Sequence, residues 1–183
     1  MYWRWKSAVT KPECEKIIKE FDRDSTHGTA RVGSDTGGIV DPEMRKTNLF
    51  WIDRQHLLNR VAQSFINEAN LNQFKYNLSG TEPLQFGKYE NDSFYEWHQD
   101  SGITPSDCGD IRKLTLMMQL SDPNDYEGGD FQLYHGTKTP IDPDIKDQGD
   151  VIVFDSRDWH RVTPVTKGAR FSIVCWTLGG AFK

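Results

Sequence analysis

From residue 73 to the C-terminus the chain changes its hydrophobic period to two, and that alternation limits it to a fold of many short strands. Candidate strands cover 74–79, 84–90, 94–98, 112–120, 130–134, 150–154, 159–164 and 170–178. Turn residues separate them: Asn91-Asp92, Asp122-Pro123-Asn124, Gly128-Gly129 and Gly149-Asp150. Strands of this length and spacing predict a β-sandwich or barrel-like roll. Before residue 73 the period is helical. Thr10-Lys11-Pro12-Glu13 has the form of a capping box with proline in the first turn. Cys14, Ile17, Ile18 and Phe21 follow on one face, predicting a helix over 11–23. A second helix fits 54–70, with Leu57, Leu58, Val61, Phe65, Ile66 and Ala69 as its apolar stripe. A short strand is expected at 49–52. Residues 25–41 hold four glycines and few large apolar residues, which reads as a long functional loop.

At 183 residues the chain fits one domain, with helical support over about 1–72 and a β core over about 73–180. The formal net charge of −5 argues against a non-specific nucleic-acid binder, which needs a basic excess. No run of apolar residues is long enough for a membrane span, and Met1-Tyr2-Trp3-Arg4-Trp5-Lys6 lacks the apolar stretch of a secretory signal, so neither is expected. Cys14, Cys108 and Cys175 are widely spaced and form no CxxC pair, so no zinc knuckle or disulfide framework is expected. A reducing cytoplasm is the simplest compartment, with each cysteine a small buried apolar residue.

The sharpest local feature is Trp97-His98-Gln99-Asp100. On a strand, residues two apart share a face, so His98 and Asp100 project side by side as an imidazole and a carboxylate. Alone, H-x-D also occurs as a surface histidine beside a solvated aspartate. Sixty residues on, Asp158-Trp159-His160-Arg161 follows the apolar strand Val151-Ile152-Val153-Phe154. Two histidines and one carboxylate on one side of a metal leave open positions, the donor set of non-haem Fe(II) oxygenases. Ten and twelve residues past His160 stand Arg170 and Ser172, between Ala169, Phe171, Ile173 and Val174. If the chain turns at Pro164 and returns, Arg170 faces the metal from deeper in the barrel, where a guanidinium can clamp a carboxylate. No glutamate is evidently placed as the general base of a zinc hydrolase.

The order H-x-D, distant His, then R-x-S resembles the Fe(II)/2-oxoglutarate dioxygenases, and within them the prolyl 4-hydroxylase-like branch. The resemblance runs through residues 89–100, 113–120, 126–133 and 149–154 and covers roughly 40–180. It implies a mainly β fold with N-terminal helices, a double-stranded β-helix or jelly roll. It also implies Fe(II) on His98, Asp100 and His160, with 2-oxoglutarate and O2 as co-substrates and ascorbate as a reductant. Arg170, with Ser172 beside it, matches the site of the distal carboxylate of 2-oxoglutarate; many collagen-type members carry lysine there. Tyr89 matches a tyrosine that reaches the co-substrate. Gln119 stands where relatives place a tyrosine, so its role is open. Tyr95 and Trp176 match aromatic residues around iron and substrate, or else pack in the core. Tyr95, Trp97, Trp159 and Trp176 are expected at the mouth, with the segment 28–38 and Arg45 as a lid over a peptide. The implied reaction is hydroxylation of a prolyl residue in a peptide or protein, with 2-oxoglutarate converted to succinate. The alternatives are a free amino acid or small metabolite, a nucleic-acid demethylase, and a jelly-roll binding module whose site has decayed.

Overall fold

The computed structural model describes residues 1–22, 41–102 and 109–181, with Gly28–Thr29 as backbone alone. Most of the glycine-rich segment 28–38, and Cys108, lie outside these residues. The strands are β1 (Tyr2–Trp5), β2 (Gly28–Thr29), β3 (Arg45–Lys46), β4 (Asn48–Trp51), β5 (Gly80–Thr81), β6 (Gln85–Glu90), β7 (Ser93–His98), β8 (Asp110–Gln119), β9 (Tyr126–Gly128), β10 (Phe131–Tyr134), β11 (Val151–Asp155) and β12 (Trp159–Gly180). The helices are α1 (Lys11–Phe21) and α2 (Leu57–Ala69). The expected mainly β jelly roll with N-terminal helices is what the chain forms.

One sheet runs in the order β1-β11-β8-β12-β6-β4-β2. A facing set of strands pairs β3 with β7, and β7, β9 and β10 with the first half of β12. Alternation decides what each strand gives to each side. On β8, Leu114, Leu116 and Met118 join the core beneath the helices, while Met117 joins the core between the sheets. β11 divides likewise into Val151 and Val153 against Ile152 and Phe154. On β12, Ile173 and Cys175 face the helices, leaving Arg170, Ser172, Val174 and Trp176 on the inner side.

α1 starts as its sequence dictates: the Glu13 carboxylate accepts from Thr10 N at 2.9 Å and from Thr10 Oγ1 at 2.6 Å. Cys14, Ile17 and Phe21 are its buried face, and Phe21 stacks on Phe50 with ring centroids 5.6 Å apart. Each such side chain contributes roughly 1.5–3 kcal/mol when fully buried. α2 buries Ala62, Ile66 and Ala69, with Leu58, Val61 and Phe65 half-buried against the same core. Leu57, expected in that stripe, is 67% exposed in the first turn. Among the described residues no helix is long and apolar enough to cross a membrane.

Three strand expectations need correction. The segment 74–79 is not a strand: α2 runs on into a π-helical turn, Asn70–Phe74, and Lys75 adopts the left-handed conformation. The Asn70 side chain occupies both ladder groups of Tyr76, accepting from its N–H at 2.8 Å and donating to its carbonyl at 2.9 Å. The segments 159–164 and 170–178 are one strand, β12, which passes from one sheet to the other without turning back at Pro164. Register shifts between His160 and Val162, and between Val162 and Val165, let it bend. Finally, Tyr2–Trp5, not expected as a strand, lies antiparallel to β11. The buried Asp150 carboxylate fastens the chain that follows it, accepting from Ser7 N at 2.8 Å and Lys6 Nζ at 2.7 Å.

Candidate functional site

His98 ends β7, and His160, near the start of β12, is its cross-strand partner. Asp100 lies two residues beyond His98, where its N–H donates to Ser156 O at 2.9 Å. All three are buried, and one ligand atom from each falls within 4.8 Å of the others. Each imidazole is fixed by a carbonyl two residues back: Nδ1 of His98 lies 2.7 Å from Glu96 O and Nδ1 of His160 lies 3.0 Å from Asp158 O. Donation there puts the proton on Nδ1 and leaves the Nε2 lone pair facing Asp100. His160 Nε2 is 3.3 Å from Asp100 Oδ2, and His98 Nε2 is 3.7 Å from Oδ1.

Burial, followed by the neighbouring His160, pushes His98 down to about 3, so its ring is neutral at pH 7. Burial opposes the charge on Asp100, but His160 and His98 outweigh it and hold the carboxyl well below the usual range. Thr115 Oγ1 donates to Asp100 Oδ2 at 2.7 Å and lies 2.9 Å from Ser156 Oγ. Two imidazoles with Nε2 turned inward and one oriented carboxylate suit a divalent first-row metal and leave coordination positions free.

The triad forms one end of a cavity that Arg170, Ser172, Val174, Trp176, Tyr89, Tyr95 and Arg45 also line. Arg170, Ser172, Val174 and Trp176 come from alternate positions of β12. Arg170 is 2% exposed. Its Nη2 lies 3.8 Å from the Met117 sulfur, its guanidinium carbon sits 5.5 Å from the Tyr89 ring centre, and among the described residues no carboxylate pairs with it. A buried guanidinium held only by a thioether and an aromatic ring is suited to an incoming anion. Gly129 makes room for its stem: a Cβ there would come within 2.9 Å of Arg170 Cδ, at a φ of +63°.

Tyr95 stacks on the His98 ring with centroids 3.4 Å apart, and burial pushes its phenol up to about 12. Arg112 covers Trp176, its guanidinium carbon 4.0 Å from the ring centre, while donating to both Glu82 oxygens at 2.6 and 2.7 Å.

Other expected positions fall elsewhere. Gln119 shares a face of β8 with Thr115 and Met117 but stands one step beyond the cavity wall, donating to Tyr126 Oη at 3.0 Å. Trp97 and Trp159, adjacent to the histidines, point to the opposite side by strand alternation. They line a separate outer cleft with Tyr134 and Pro140 rather than the mouth. Arg45 is no part of an exposed lid: it pairs with Tyr95 from β3 and is buried. Sequence reasoning missed Thr115, Ser156 and Gln85. The alternation of β8 placed Thr115 opposite the apolar Leu114 and Leu116, the one trace it left.

The fold and this constellation define the chain as a jelly-roll protein that brings two histidines and a carboxylate together beside a buried, anion-ready arginine. The profile of the 2OG-Fe(II) oxygenase superfamily matches residues 84–178, and the chain belongs to that family. Fe(II), 2-oxoglutarate and O2 are the family's cofactor and co-substrates. Among its relatives, a PKHD-type hydroxylase of Teredinibacter turnerae is 28% identical over 149 residues, covering 79% of this chain and 65% of that one. A PKHD-type hydroxylase of Escherichia coli is 31% identical over 133 residues, covering 67% and 56% respectively. The chain thus spans 65% or less of the length of these curated relatives. The fold matches a prolyl-4-hydroxylase of Pseudomonas putida with a TM-score of 0.73 at 19% identity, covering 96% of this chain and 91% of that one. It also matches a prolyl hydroxylase of Trichoplax adhaerens, solved with a hypoxia inducible factor peptide fragment, with a TM-score of 0.76 at 17% identity, covering 96% and 82%.

Proposed function

We propose that this chain is an Fe(II)/2-oxoglutarate-dependent dioxygenase that hydroxylates a prolyl residue of a peptide or protein. His98, Asp100 and His160 hold the iron, and Arg170 takes the distal carboxylate of 2-oxoglutarate with Ser172 and Tyr89 beside it. The observation that carries this reading is Arg170 itself, buried without a carboxylate partner among the described residues in the same cavity as the triad.

When bound, the iron and co-substrate supply an oxidant from O2 and release succinate and CO2. The protein's part is geometry and exclusion of water. Glu96 O and Asp158 O fix the two imidazoles, and Thr115 fixes Asp100. Arg170 sets the direction in which the dicarboxylate enters. Tyr95 and Trp176 wall the space where an acceptor would lie. Ascorbate serves as an accessory reductant, and the cytoplasm is the compartment that suits this chemistry.

The prolyl acceptor is supported by the prolyl hydroxylases of the same fold and by the aromatic walls. Gln119 stays outside this constellation and bonds to Tyr126. A free amino acid or small metabolite is the second reading, favoured by the two arginines in one cavity. The test is incubation with Fe(II), 2-oxoglutarate and a panel of proline-containing peptides, read by mass spectrometry for the gain of one oxygen. Peptide oxidation matched by succinate supports the first reading. Succinate formed only with free amino acids supports the second, and no succinate with any acceptor refutes both.

A further inference from the structure

Beside Arg170 the cavity holds a second buried guanidinium, that of Arg45. Arg45 is 6% exposed. Its Nη2 donates to Gln85 Oε1 at 2.9 Å, its Nε is buried without an acceptor, and its guanidinium carbon lies 4.3 Å above the Tyr95 ring centre. Among the described residues no carboxylate pairs with it. Trp176 Nε1, on another ring that lines the cavity, is likewise buried without an acceptor.

Charge bookkeeping shows what is missing. A divalent cation and a dicarboxylate cancel one another. Asp100 cancels one arginine, and imidazoles that give Nε2 to a metal do so uncharged. Among the described residues one positive charge remains, and it sits on the buried Arg45. A buried charge without a counterion is costly, and a neutral carbonyl would fill its hydrogen bonds without cancelling the charge.

We propose that Arg45 binds a carboxylate of the acceptor, so that the substrate is an acid: a free amino acid or the C-terminal residue of a peptide rather than an internal residue. The inference rests on the oxygenase reading and narrows its substrate. Stacking order sets the scale. Arg45 lies on Tyr95, and Tyr95 lies on the His98 ring, so only a short acceptor fits, with its carboxylate a few bonds from the carbon that reacts.

The test is calorimetric titration, without oxygen, of the protein loaded with Mn(II) and 2-oxoglutarate. The probes are L-proline and L-prolinamide, Gly-Gly-Pro and its C-terminal amide, and acetyl-Gly-Pro-Gly-amide. In the wild type, at least one acid binds about tenfold or more tightly than its amide, as expected for losing a charge-assisted hydrogen bond. The pair that shows the preference tells free amino acid from peptide terminus. In Arg45→Gln the preference shrinks to about twofold or less, and Arg45→Lys restores part of it. The proposal is overturned if acid and amide bind alike in both pairs, if neither acid binds, if the internal prolyl peptide binds as tightly as the acids, or if Arg45→Gln keeps the preference. The wild-type comparison needs no variant to fold. Failure of the wild type to take up Mn(II) and 2-oxoglutarate, read before any probe is added, removes the oxygenase reading itself and is a separate result.

Discussion

His98 and His160 stand opposite one another across the β7–β12 ladder, with ring centroids 4.0 Å apart. A ladder pairing, not a loop, therefore sets their separation. His98→Ala and Asp100→Ala are expected to abolish iron-dependent turnover while the sheets persist. Bound iron per chain, together with succinate formation, checks this. Coupled turnover in either variant contradicts the assignment.

Thr115 fixes the Asp100 carboxylate from the neighbouring sheet. Thr115→Val keeps the shape and removes the donor. A loss of about ten- to hundredfold in metal affinity is expected, in line with other partners that orient ligands. Titration with Fe(II) or Mn(II) measures it, and wild-type affinity would show the hydroxyl to be irrelevant.

Arg170→Ala should weaken 2-oxoglutarate binding by about ten- to hundredfold or more, the scale of charge-assisted hydrogen bonds. Metal binding should survive, since Arg170 contacts no ligand residue. Titration of 2-oxoglutarate into the Mn(II)-loaded variant separates the two, and unchanged affinity would remove the clamp.

Gly129→Ala acts on the same arginine indirectly. The new Cβ would meet Val165 Cγ2 at 2.8 Å and Arg170 Cδ at 2.9 Å, on a backbone at φ +63°. A stability loss of about 1–3 kcal/mol and a raised 2-oxoglutarate requirement are expected together. Thermal unfolding and co-substrate titration read the two effects. Loss of neither would mean that Arg170 has room to move.

Alkaline stability tests the Tyr76–Asp155 contact. Burial, then the bonded Asp155, pushes the Tyr76 phenol up to about 12 from 10. The folded state thus holds a proton that the unfolded chain releases first, so this contribution is full below pH 10 and is lost as pH rises from 10 towards 12. Tyr76→Phe should flatten that part of the stability profile. An unchanged slope in denaturant titrations across this range would show that other groups cause it.

The sequence disclosed what period and donor chemistry can encode. The inward set Arg170, Ser172 and Trp176 follows from alternation alone, and the triad from residue types at strand spacing. Four things were hidden. The fate of 74–79 depended on Asn70, whose amide replaces a strand partner for Tyr76. The merging of two strands into β12 depended on irregular pairing around Val162 that no local pattern marks. Trp97 and Trp159 were misplaced because proximity to the histidines in sequence suggested proximity in space, whereas neighbours on a strand face opposite ways. The environment of Arg45 was illegible because its partners Gln85 and Tyr95 come from strands 40 and 50 residues away.

The single passage of β12 through both sheets imposes an inheritance rule. His160 and Arg170 are held at an even separation along one rod, bulges included. Gain or loss of one residue between them, with the register shifts at Val162 and Val165 unchanged, would invert every later side chain, exchanging Arg170 with Phe171 and the cavity with the helix-facing core. Between His160 and Arg170 the descendants of this chain can drift in composition, but a change of length has to be matched by a change in the bulges if the reaction is to be kept.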